Sequence, residues 1–514
     1  SWWGNDSRHA YFLDMDRYYK YVKLVEFDTF TGETRVLFKE TSKTHVRLMQ
    51  AGENLPMLLP LPESNELLWY SDRSGWGHYY LYDLKTGQLK KQVTSGNWLV
   101  RELVRFDPKR RELFLQTGGR EKGRSPYYRD LVRVNIDTGK LTTLIASDHD
   151  YFAHARSDQT VGFETGLTGN ALYYRHKFTK TAVSGGKMML VGANGVSPTG
   201  NFAVVTGGRS NTVPESWLVD RQGRKVLMVE KTDISQLPKN WQWPEPVKLL
   251  AADGKTDTYG VVFRPTDFDA SKHYPVVTYI EGRPSSAAAP AGAFNMNLLG
   301  WFYLRPAALA ELGFVVVLID GRGTSMRDKA FLDANYGWIE DASMLADQVA
   351  GLKQLAKRYP YMDLERVGIT GDTGGLQALL RYPDFYKVGI SAMLRDSRLT
   401  SSHRYGDMYE GEVGPNPDRK YPEYMVENLK GKLLITQPLL DAIASLPASS
   451  FRAIEALNRA NKDYDLLVEP RVGYASTAYI TRRTWDFLVR HLQGVEPPKG
   501  IRLEGSLLYR GTFK

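Results

Sequence analysis

The stretch 367-VGITGDTGGLQALLRYPDFYKVGIS-391 runs from a short apolar strand through a glycine-rich elbow into a helix and on to a second apolar strand. A strand, a Gly-x-[nucleophile]-x-Gly turn and a helix in this order lift a catalytic hydroxyl above the edge of a parallel sheet. Here the elbow reads Gly371-Asp372-Thr373-Gly374-Gly375, with threonine where a serine is expected. Three readings stand side by side: a threonine nucleophile, the Asp-Thr-Gly triplet of an aspartic protease, or a dismantled active site.

Around the elbow, strands and helices alternate. Apolar strands at 275–281, 314–320, 366–370, 387–391, 432–436 and 465–469 are separated by amphipathic helices at 304–313, 341–359, 449–461 and 479–492. Such alternation predicts a mostly parallel, doubly wound sheet covered on both faces. With the elbow on one of its strands, the expected fold of residues 237–514 is an α/β-hydrolase domain.

Residues 1–236 have a different texture. Aromatic and β-branched runs lead into an Asp or Asn, a glycine turn and a second strand, at 25-VEFDTFTGETRVLF-38, 80-YLYDLKTGQLKKQV-93, 132-VRVNIDTGKLTTLI-145 and, more loosely, 217-WLVDRQGRKVLMV-229. The turns at Gly32, Gly87 and Gly139 fall at steps of 55 and 52 residues. A unit of four strands repeating at this interval predicts β-propeller blades, with stacked hairpins in a sandwich as the alternative. About four blades are readable, and the first opens abruptly at 1-SWWGNDSRHAYF-12, so the propeller is expected to be incomplete and the parent protein longer than 514 residues.

Composition narrows the function classes. At 42% hydrophobic and 24% charged residues the chain is globular, and at 514 residues it needs more than one core. The net charge of +9 arises from Lys and Arg interspersed with acids, which argues for a mixed solvated surface and against a nucleic-acid partner. No apolar run reaches the length of a membrane span. Without cysteine there are no disulfides, thiol nucleophiles or cysteine-ligated metals. The nine histidines are scattered, so neither a metal site nor a cofactor is expected.

The carboxyl half resembles the prolyl oligopeptidase and dipeptidyl peptidase IV family of serine peptidases, through 253-DGKTDTYGVVFRPTDFD-269, 309-LAELGFVVVLIDGRGT-324, 380-LRYPDFYKVGIS-391, 427-ENLKGKLLIT-436, 458-NRANKDYDLL-467 and 481-TRRTWDFLVRHL-492. The amino half is similar to that family's propeller through 68-LWYSDRSGWGHYYLYDLKTG-87 and 118-GGREKGRSPYYRDLVRVN-135. The resemblance implies peptide hydrolysis, a homodimer, a peptide or protein partner, and a periplasmic or secreted location. It also implies four motifs, and the sequence departs from each. The nucleophile falls at Thr373. The acid falls at Leu440 in strict register, or at Asp441 one residue later. The histidine position falls at Val472 or Tyr474, and the tyrosine that helps hold the oxyanion is replaced by Glu281. The glutamate pair that grips a substrate's amino terminus has no counterpart among these residues.

Serine-type hydrolysis needs a hydroxyl, a base, a group that orients the base, and oxyanion donors. Threonine supplies a hydroxyl but crowds a strained turn with its methyl. After the elbow the chain holds only His403 and His491, and the order nucleophile, acid, base leaves His491, on the helix whose apolar stripe is Trp485, Leu488, Val489 and Leu492. Tyr474 is a poor base at neutral pH, and Glu281 places negative charge where negative charge develops. The second Asp-Thr-Gly, at Asp137-Thr138-Gly139, is the hairpin turn of a blade, so an aspartic-protease pair is not expected. The leading expectation is a catalytically impaired pseudopeptidase that binds peptide or protein partners. The alternative is an active serine-type dipeptidyl or oligopeptidase whose motif loops are shifted in register.

Overall fold

The structure is a computed structural model, and it describes residues 1–48, 57–146, 148–152, 196–280, 286–294, 301–338, 344–371, 374–392, 403–412, 422–440, 447–473 and 477–503. The chain divides into two units. One holds Ser1–Arg209, Val213–Thr232 and Met326–Lys329, and the other holds Ser210–Thr212, Asp233–Ser325 and Ala330–Lys514.

Among the described residues the first unit contains four antiparallel sheets of four strands, each in simple up-and-down order. They are β1 (Trp2–Trp3), β2 (His9–Met15), β3 (Tyr21–Asp28) and β4 (Thr34–Thr41); β5 (Leu58–Leu61), β6 (Glu66–Ser71), β7 (His78–Asp83) and β8 (Leu89–Gln92); β9 (Leu99–Asp107), β10 (Glu112–Gly118), β11 (Arg129–Asn135) and β12 (Leu141–Ile145); and β13 (Asp150–Phe152), β14 (Phe202–Gly208), β15 (Glu215–Asp220) and β16 (Lys225–Lys231). The last hairpin of every sheet closes in the same way. The Asx side chain at the end of its third strand accepts a turn N–H, from Phe30 to Asp28 at 2.9 Å, Thr86 to Asp83 at 2.8 Å, Thr138 to Asn135 at 2.9 Å and Gln222 to Asp220 at 2.9 Å. The glycine then donates its N–H to the carbonyl of the same Asx, at 2.8–2.9 Å in all four turns. Each glycine sits at a φ between 73° and 84°, which L side chains avoid.

Adjacent sheets stack through buried apolar clusters. Tyr11 and Leu24 meet Leu67 and Trp69 between the first and second sheets, Leu68 and Tyr70 meet Leu113 and Val134 between the second and third, and Phe114 and Leu131 meet Val205 and Val219 between the third and fourth. The turns contribute to the stacking. A Cβ on Gly87 would lie 2.2 Å from the carbonyl oxygen of Leu37 in the preceding sheet, and one on Gly223 would lie 1.7 Å from that of Leu144. These are propeller blades.

The second unit is built on β17 (Glu245–Leu250), β18 (Asp257–Phe263), β19 (Tyr274–Ile280), α1 (Trp301–Ala310), β20 (Val315–Asp320), α2 (Lys329–Leu332, whose first residue groups with the propeller), α3 (Leu345–Arg358), β21 (Met362–Gly371), α4 (Gly375–Arg381), β22 (Tyr386–Ala392), α5 (His403–Glu410), β23 (Lys432–Pro438), α6 (Pro447–Arg459), β24 (Asp465–Glu469) and α7 (Ala478–Leu488). Its eight-stranded sheet has the order β17-β18-β20-β19-β21-β22-β23-β24. The strands from β20 to β24 are parallel, and β17 and β18 add an antiparallel edge. Val276, Val315 and Val317 enter a core with Leu352, Leu379 and Leu457, while Val277, Val316 and Leu318 enter a second core with Leu488 and Leu492. Strand periodicity thus divides each apolar run between two helical layers, which is why these strands read as continuous hydrophobic stretches. Among the described residues no helix is long and apolar enough to cross a membrane.

Candidate active site at the carboxyl edge of the sheet

The elbow is shaped by close packing. Gly371 ends β21 at φ 132°, and a Cβ there would lie 2.0 Å from the carbonyl oxygen of Ile280 at the end of β19. Gly375 opens α4, where a Cβ would lie 2.0 Å from the carbonyl oxygen of Ile390 in β22. Between them Gly374 caps the helix at φ 99°. No side chain fits at either clamped position, so the glycines fix where the turn leaves one strand and enters the helix. Thr373, the nucleophile position, and its neighbour Asp372 lie outside the described residues.

Two neighbouring loops leave the same edge bonded to each other. After β23 the N–H of Leu439 donates to the carbonyl of Glu469, the last residue of β24, at 3.0 Å, and that of Leu440 donates to the carbonyl of Val472 at 2.9 Å. Leu440, the strict-register acid position, and Val472, one of the two candidates for the histidine position, are therefore brought together, but neither a leucine nor a valine carries a proton to exchange. Asp441, the acid position one residue later, and Tyr474, the other histidine candidate, lie outside the described residues, as does Glu281.

One residue of this edge was not singled out from the sequence. Asp320 ends β20 and is fully buried, and its Oδ1 and Oδ2 accept the N–H groups of Ala288 at 2.7 Å and Ala289 at 2.9 Å. A carboxylate held by two backbone donors is a strong anchor, here for the loop that follows β19 and Glu281. Two residues on, Arg322 binds Asp347 through Nη2 at 2.9 Å and Asp253 through Nη1 at 2.9 Å, tying the start of the next loop to α3. The local signal was an acid closing the apolar run 314-FVVVLIDGRG-323, but the spacing to its partners is not readable.

His491 lies far from the elbow. Helix α7 begins at this edge, where its N-cap Thr477 donates to the Glu469 carboxylate at 3.1 Å. At about 1.5 Å per residue, His491 is roughly 20 Å further along the helix axis. It falls in a π-helical turn, Val489–Gln493, whose Gln493 side chain donates to the carbonyl of Leu312, ahead of the amino-terminal start of β20. Its ring packs edge-on against Phe487, with centroids 4.4 Å apart. Burial and the adjacent Arg490 push its pKa down, so it is neutral at pH 7. His403 opens α5, without a described side-chain position.

Residues 1–164 match the family of the dipeptidyl peptidase IV N-terminal region, and residues 301–495 match the prolyl oligopeptidase family. The chain belongs to the prolyl oligopeptidase and dipeptidyl peptidase IV family. It is 32% identical over 241 residues to dipeptidyl peptidase 8 of Homo sapiens, covering 44% of this chain and 26% of that protein. It is 26% identical over 389 residues to dipeptidyl peptidase 4 of Trichophyton equinum, covering 71% of this chain and 42% of that one. The chain thus spans between a quarter and a half of the length of these relatives. In fold it is similar to a Bacteroides ovatus protein solved as a candidate dipeptidyl aminopeptidase IV, with a TM-score of 0.74, 22% identity and coverage of 96% of this chain and 65% of that one. Dipeptidyl peptidase 4 of Porphyromonas gingivalis gives 0.72 at 20% identity, covering 95% and 63%. As a member of this family the chain pairs a propeller region with an α/β-hydrolase domain.

Proposed function

We propose that this chain is a catalytically impaired member of a serine peptidase family, which binds a peptide or protein partner through the peptidase scaffold. The observation that carries the reading is the position of His491, the histidine that chain order leaves as base. It lies beyond the end of α7, roughly 20 Å along the helix axis from Thr477 at the carboxyl edge, with its ring packed on Phe487. A hydroxyl at position 373 then has, after the acid position, no histidine among the described residues to take its proton, and triad members act as a unit, so one surviving part recovers little activity. The relatives' names, dipeptidyl peptidases, support a peptide as the class of ligand.

One observation favours a second reading. The close packing at Gly371 and Gly375 supports a turn of the kind a nucleophile elbow needs, which suits an active peptidase whose base lies elsewhere. Labelling by a serine-directed fluorophosphonate and turnover of Xaa-Pro chromogenic dipeptides, measured for the chain and for Thr373→Ser, separate the two. The impaired reading expects neither signal from either protein. Labelling at Thr373, or turnover by the unmodified chain, overturns it.

A further inference from the structure

Four residues of the carboxyl half belong with the propeller. The chain leaves the second unit after Ser325, groups with the first over Met326–Lys329, and returns at Ala330. Lys329 holds the segment in place. Its backbone N–H donates to the carbonyl of Gly75 at 2.8 Å, in the turn between β6 and β7. Its Nζ donates to the carbonyl of His45 at 3.1 Å and lies 3.5 Å from Asp72 Oδ2. The guanidinium of Arg327 lies over the Tyr127 ring, 6.0 Å from its centroid.

The cluster that receives Lys329 is deeply buried and rich in cations. His45 and Arg47, on the loop between β4 and β5, and Asp72, which follows β6, are at most 3% exposed. Arg47 Nε lies 3.1 Å from Asp72 Oδ2, so one carboxylate oxygen serves both Arg47 and Lys329. The fully buried Tyr70 of β6 interacts with the charges of both Arg47 and Asp72. Burial, and then the positive charges of Lys329, Arg47 and Lys20, hold the His45 pKa well below the ordinary histidine value, so the ring is neutral at pH 7.

A neutral imidazole packs beside these cations at little electrostatic cost, whereas an imidazolium there meets both lost hydration and like charge. Opening of the segment admits water to the ring and restores its ordinary affinity for a proton, near pH 6.5. The open form then binds a proton that the closed form refuses, so acid favours opening.

We infer that His45 makes this cluster an acid-released latch: its protonation sets a further cation against the Asp72 carboxylate that Lys329 and Arg47 already share, and Met326–Lys329 leaves the propeller. The latch is closed at neutral pH. Below about pH 6.5, with one proton taken up on opening, the open fraction grows by up to about tenfold per pH unit.

The test is hydrogen exchange at the Lys329 amide in the full 514-residue chain, followed by mass spectrometry with the intrinsic exchange rate divided out. Between about pH 7.5 and about pH 5 the corrected rate should stay level and then rise by up to about tenfold per unit below about 6.5. The Gly139 amide, bonded to the Asn135 carbonyl in a hairpin turn of the same propeller, should keep its protection throughout. His45→Asn should make exchange at Lys329 independent of pH over this range, and His45→Gln serves if the first variant loses its circular dichroism. Constant protection of Lys329 in the unmodified chain overturns the inference. The same acceleration in the His45 variant overturns it in favour of another titrating group, and parallel acceleration at Gly139 overturns it by showing that acid loosens the propeller as a whole.

Discussion

Asp320 Oδ1 accepts the N–H of Ala288 at 2.7 Å, and both residues are buried. The bond spans 32 residues of sequence and fastens the loop after β19 to the end of β20. Asp320→Asn keeps the shape but replaces one acceptor oxygen by an amide that faces a backbone donor. A buried donor left unmatched costs about 1–3 kcal/mol. Hydrogen exchange at Ala288 and Ala289 should therefore accelerate by roughly 10- to 100-fold. Unchanged protection would show that the carboxylate does not anchor the loop.

The turn glycines should differ in tolerance although their backbones are alike. Asn is the non-glycine residue best suited to positive φ, so Gly32→Asn, with open space around it, should cost well under about 1 kcal/mol. At Gly87 the same change drives a Cβ to 2.2 Å from the Leu37 carbonyl oxygen and should cost about 3 kcal/mol or more. Urea unfolding of the two variants measures the gap, and equal midpoints would contradict the stacking.

Glu102, on β9, should make the propeller less stable as pH rises. Burial raises its pKa from 4.5 to about 7 against the opposing charges of Arg129 and Arg101, while Tyr79 is the further titratable group beside it. A raised folded pKa means that its contribution is fully present below pH 4.5 and is lost as pH climbs through about 7. Its remaining exposed surface trims the effect, so Glu102→Gln should add roughly 1–3 kcal/mol at pH 8 and little at pH 4.5. Denaturation of both proteins at the two pH values decides it; a gain confined to acid would reverse the sign.

His491→Gln should leave any hydrolytic rate unchanged, because the ring packs on Phe487 in the π turn. Stability should change modestly and in acid. The depressed pKa of His491 favours folding while the ring is neutral, a contribution fully present above the usual histidine value of 6.5 and lost as pH falls below it through the lowered folded pKa. A fall in turnover at constant stability would place the histidine in the chemistry.

Much of this architecture was legible because period and punctuation agree. The Asx and glycine of each hairpin are both used, one to accept turn N–H groups and one to take a positive φ, so the repeat could be read from residues four apart or fewer. The pair β17 and β18 escaped notice. Strand β17 is short, lies at the edge of the sheet and carries Pro246, and a proline weakens a strand signal. Asp320 escaped because its partners are set by the return of the chain from β19, which no local pattern encodes. The helical stripe carries the closing helix through His491, whereas the π turn in which His491 falls, after the end of α7, left no readable mark. Of the four site positions, Thr373, Asp441, Tyr474 and Glu281, each was marked by the family's spacing, and none falls among the described residues.

The reliance of each turn on the sheet before it also sets an order of assembly. Gly87, Gly139 and Gly223 all rest on carbonyls of residues that precede them in sequence. During synthesis the amino-terminal segments emerge first, so each new hairpin meets the strand it leans on already made. A nascent chain stalled after β8 should therefore already protect the amides of its first two sheets, while the third and fourth have nothing to wait for but their own translation.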